Sequence, residues 1–122
     1  MIQDEKKYEK FLPIGSIVKL KDAEKLLMVV GYGFTGKVNN ENKFFDYCSC
    51  LYPEGILDPK KSILFDHDNI DKVEWLGFED EGSFIWRNFL IDNYDDIKKK
   101  AESGQKNLSE SEIVTQYNNI NN

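Results

Sequence analysis

KVEWLGFEDEGSFIWRNFLIDNYDDIKKKA, residues 72–101, decides the fold class, because the spacing of its apolar residues changes part-way along. Over Lys72–Phe78, Val73 and Trp75 stand opposite Glu74, the period of two that a half-buried strand requires. From Ser83 onward, Trp86, Leu90, Tyr94 (or Asn93), Ile97 and Ala101 recur every three or four residues, and Ile85 and Phe89 widen the stripe. The second pattern predicts an amphipathic helix. Its ends agree: Ser83 is the expected N-cap behind Asp80 and Glu81, Lys98–Lys100 fill the last turn, and Gly104 is the stop.

Upstream of that stretch the chain reads as strands. Ile14, Ser16, Val18 and Leu20 alternate with their neighbours, and Lys25–Gly33 is rich enough in Leu, Met and Val to be buried on both faces. The short polar turn Lys21–Glu24 between them predicts an antiparallel hairpin. Gly33–Lys43, with Gly36, Asn39, Asn40 and Asn42, is read as an exposed loop. A third strand, Phe44–Tyr52, is ended by Pro53, and a fourth, Ser62–Phe65, follows the turn at Asp58-Pro59-Lys60. The polar corner Asp66–Asp71 precedes the fifth. The expected fold is α+β: a curved antiparallel sheet of about five strands, small and open-barrel-like, followed by a C-terminal amphipathic helix. Residues 1–10 form a polar lead-in, 11–103 a single α+β domain, and 104–122 a tail expected to be flexible. Within the tail, Ser109 and Glu112 make a capping box ahead of Ile113, Val114, Tyr117 and Ile120, the pattern of a short helix.

Composition narrows the function classes. A chain of 122 residues, 40% hydrophobic and 31% charged, suits one well-solvated domain with its own core. No apolar run approaches the roughly 18 residues of a membrane span, and Met1–Lys10 lacks the apolar segment of a signal peptide. A cytoplasmic protein without membrane insertion is expected. Sixteen basic against 22 acidic residues give a net charge of -6, and between Asn40 and Gly82 stand 11 acidic and 4 basic residues. Such a surface repels phosphate backbones, so nucleic acid is not an expected partner. Cys48 and Cys50, at i and i+2, are too close for an ordinary disulfide across a strand and have no second pair to complete a metal site; buried free thiols are expected.

The residues that could carry chemistry are few. Asp66, His67, Asp68 and Asp71 include cation-ligand types, but Asp66-His67-Asp68-Asn69-Ile70-Asp71 has neither the Gly nor the distant Glu of an EF-hand loop in register. A capped turn accounts for the cluster. His67 is the only histidine and stands beside no nucleophile motif. Gly31-Tyr32-Gly33-Phe34-Thr35-Gly36 matches G-x-G-x-x-G in form but leads into an Asn-rich stretch, not a helix, and reads as a strand exit. No catalytic, cofactor or metal residues are therefore assigned; a hydrolytic or metal site built from the Asp66–Asp71 corner and one cysteine is the enzyme alternative. Aromatic residues are the richer signal. Tyr32, Phe34, Phe44, Phe45, Tyr47, Tyr52, Phe65, Trp75, Phe78, Phe84, Trp86 and Phe89 exceed what a small core hides, so some are expected on a protein-binding face.

Particular segments carry a resemblance. Phe11-Leu12-Pro13-Ile14-Gly15-Ser16-Ile17-Val18, then Leu27-Met28-Val29-Val30-Gly31-Tyr32, then Asp46-Tyr47 with Cys50-Leu51-Tyr52-Pro53-Glu54-Gly55, and Phe65-Asp66-His67-Asp68-Asn69-Ile70 are together similar to the small Firmicute domain-of-unknown-function family 4176. Asp66 stands where that family usually reads Asn. The likeness runs from about Phe11 to Ala101. It implies a setting near type VII secretion genes encoding LXG toxins, and a role as a non-catalytic cytoplasmic adaptor or chaperone for such an effector or its helical domain. An immunity-like toxin inhibitor is the alternative within the same setting. The segments expected to meet the partner are Leu12-Pro13-Ile14, the turn Tyr52-Pro53-Glu54-Gly55, and His67-Asp68; the oligomeric state stays open.

Overall fold

The computed structural model describes residues 10–103. The lead-in before Lys10 and the tail from residue 104, with the short helix expected there, lie outside the described residues. Five strands, β1 (Ile17–Leu20), β2 (Leu26–Val38), β3 (Glu41–Leu51), β4 (Ile63–Phe65) and β5 (Ile70–Trp75), form one open antiparallel sheet in the order β4-β3-β2-β1-β5. Two helices follow, α1 (Glu81–Asp92) and α2 (Tyr94–Glu102). The α+β class and the strand count agree with the sequence.

Two details differ from the expectation. The stretch 33–43 is not a loop: β2 and β3 run on through it and reverse at Asn39 and Asn40, both with positive φ (54° and 67°). That is what a two-residue primed hairpin turn demands, and asparagine accepts it at little cost. Most side chains from Phe34 to Lys43 are exposed, so no hydrophobic alternation marked them as strand. The single predicted helix is two. Asn93 takes a non-helical conformation, and its side-chain amide donates to the Phe89 carbonyl at 2.8 Å, competing with the continuation of the helix. The start also moves. Asp80 is the N-cap, accepting from the Ser83 N–H at 2.9 Å while the Ser83 hydroxyl accepts from the Asp80 N–H at 2.9 Å, so Ser83 closes a capping box from inside the helix.

By contacts the chain falls into two compact units. One comprises the residues up to Phe34 together with Phe45–Glu79; the other comprises Thr35–Phe44 and the chain from Asp80 on. In the first unit β1 pairs with β2 through Ile17↔Met28, Val18↔Leu27 and Lys19↔Leu26, and β3 pairs with β4 through Tyr47↔Phe65. Its core holds Phe11, Leu12, Val18, Leu27, Val29, Tyr47 and Phe65, all at most 5% exposed. In the second unit the Phe44 ring meets Tyr94 edge-on at 5.7 Å, and the Phe44 N–H donates to Glu102 at 3.2 Å.

The edges of the sheet shape its surface. β4 has three residues. β5 pairs with β1 in a register that shifts twice, between Ile17 and Val18 and between Lys19 and Leu20, so only Ile70 and Val73 of its six residues are buried. These irregularities turn Trp75 outward, 65% exposed. Beyond it, the Gly77 N–H donates to the buried Ser16 hydroxyl at 3.0 Å, and a side chain at Gly77 would come 2.0 Å from the Ile14 carbonyl oxygen. The approach of two backbones requires glycine there.

Candidate functional site

The segments that carry the family resemblance meet in the first unit around Tyr47. Strand β3 is buried on both faces from Asp46 to Cys50, and within it Tyr47 is 0% exposed, stacked on Phe65 at 5.0 Å and edge-on to Phe11 at 5.9 Å. Its hydroxyl accepts from the Leu12 N–H at 2.9 Å and lies 2.7 Å from His67 Nδ1. The hydroxyl thus joins the Leu12 backbone to the His67 ring, the donor in the second contact being set by the imidazole tautomer. The Leu12 carbonyl accepts from the Tyr32 hydroxyl. Beside Tyr47, the buried Asp46 carboxylate accepts from the His67 N–H at 2.9 Å and faces Lys10 Nζ at 3.8 Å. The Asp46 N–H donates to Asp66 Oδ1 at 3.1 Å, and the Asp66 N–H donates to Asn69 Oδ1 at 2.8 Å, which closes the 3-10 turn His67–Asn69. The Asp66 side chain also takes part in the capping box of that turn, accepting from the Asn69 N–H.

This arrangement spends polar groups on tying the lead segment, β3 and the His67 turn together. Buried polar groups of this kind stabilise only when partnered, and here each named bond has a backbone or ring partner. Among the described residues no three His, Cys, Asp or Glu side chains gather as metal ligands. Cys48 and Cys50 carry free, buried thiols.

The residues expected to meet a partner divide. Leu12 and Pro13 are enclosed in the core, so their side chains serve packing and present nothing outward; only Ile14 of that segment is exposed, at 48%. His67 is half-buried and engaged by Tyr47, while Asp68 is exposed. Tyr52, Pro53 and Glu54 are exposed, in a turn set by Gly55 at φ +82° with nothing within 4 Å of where a side chain would start. Its glycine answers a backbone angle, not a lack of room. The turn is pinned at three points: the Tyr52 N–H donates to Leu26 at 3.0 Å, the Gly55 N–H to Leu51 at 2.7 Å, and Lys25 Nζ to Glu54 at 2.7 Å. That last bond, with the lysine charge behind it, holds the Glu54 carboxyl below the usual glutamate range.

Beside the pinned turn lies a groove of about 270 Å³, walled by Val30, Cys50, Leu51 and Ile63, with Asp58 and Lys61 among its lining residues. Ile56 and Leu57 line it from the loop and are 63% and 72% exposed. Neither was singled out by spacing; the available signal was two aliphatic residues between Gly55 and Pro59, where turn chemistry leaves nothing to bury them. Tyr52, 43% exposed, stands on the same turn.

The family model for DUF4176, a domain of unknown function, matches residues 11–84. The chain belongs to this family. The matched stretch takes in all five strands, the Tyr47 cluster and the groove of the DUF4176 chain, and it stops within the first turns of α1. No curated protein and no solved structure matches the chain. Among the described residues no helix is long and apolar enough to cross a membrane.

Proposed function

We propose that the protein is a non-catalytic cytoplasmic adaptor that docks a client protein on the groove beside Tyr52–Leu57, the client being an LXG-type effector of a type VII secretion system. The observation that carries the docking reading is the groove together with Tyr52, Ile56 and Leu57 held exposed around it by a turn fixed at three points. Exposed aliphatic and aromatic side chains on a rigid frame supply contact area at little ordering cost. The non-catalytic reading draws on Asp46, Asp66 and His67, whose named bonds hold backbone segments in place. The client's identity rests on the family resemblance alone.

The test is a pull-down of the tagged protein from its own cytosol at moderate salt, with the captured proteins identified by mass spectrometry. An LXG effector in near-equal amount, lost when Leu57 is replaced by Asp and kept when His67 is replaced by Ala, supports the adaptor reading. Capture through the isolated toxin domain, and not through the LXG helical region, would identify an immunity-like inhibitor instead. Loss of all function in His67→Ala with capture intact would turn attention to chemistry at that corner.

A further inference from the structure

We draw no further inference here: the strongest candidate, the surface patch beside the β1–β5 pairing, where the close approach of Gly77 to Ile14 brings the exposed residues Ile14, Trp75 and Phe78 to one border of the sheet, is an unpartnered apolar face, and nothing in the structure shows what covers it.

Discussion

At Tyr47 a single hydroxyl bridges the backbone of Leu12 and the imidazole of His67, on a side chain that is 0% exposed. Tyr47→Phe keeps the ring stacking and removes the bridge, leaving the Leu12 N–H buried without that acceptor. Urea denaturation should show a loss of about 1–3 kcal/mol. Glu54 gives a second test on the same scale. Its carboxyl is held low in the folded protein by Lys25, so the pair contributes above the unfolded glutamate range and is lost as pH falls through the folded value. The difference in melting temperature between wild type and Glu54→Gln should therefore shrink as pH is lowered from about 6 to about 3. A gap that widens on acidification would contradict the assignment. Sequence alone showed that Asp66–Asp71 was a capped turn; it gave no sign that Leu12 is bound by Tyr47, because a contact 35 residues apart leaves no local period.

Among the elements, helix α1 depends on its first turn. Asp80→Ala removes the acceptor for the Ser83 N–H and should cost about 1 kcal/mol, read as a lower urea midpoint; Ser83→Ala should cost less, since the Asp80 carboxylate stays in place. The helical region was legible where its apolar residues recur at helical spacing, with Phe89 and Leu90 buried beside an exposed Asn88; β1 was legible from its apolar letters, although its burial does not alternate, Ile17 and Val18 being buried and Lys19 and Leu20 half-buried. The outer half of the β2–β3 hairpin was not, since strand pairing there is made by backbone groups common to every residue and the side chains face solvent. The break at Asn93 was equally hidden. Asparagine on the polar side of a helix and asparagine that ends one are the same letter, and the local carbonyl it captures decides between them.

For the whole molecule, stability and docking should separate. Ile56 and Leu57 are 63% and 72% exposed, so replacing both with Asp should leave the unfolding free energy from urea denaturation within about 0.5 kcal/mol of wild type while abolishing client capture. A large drop in stability would mean that these side chains belong to the core after all. Of the surface, the acidic balance and the excess of aromatics were readable in advance, and Phe34, Tyr52, Trp75, Phe78 and Phe84 are indeed exposed. Which of the family segments face outward was not. Leu12 and Pro13 look like Ile14 in composition, and only the fold buries two of the three.

The two borders of the sheet, one only three residues long and the other with a twice-shifted register, offer no run of regularly spaced amides to an incoming strand. Docking on the proposed groove would then run through side chains such as Ile56 and Leu57, each of which can be exchanged without disturbing a ladder. Borders blunted in this way also work against edge-to-edge pairing of one copy with another.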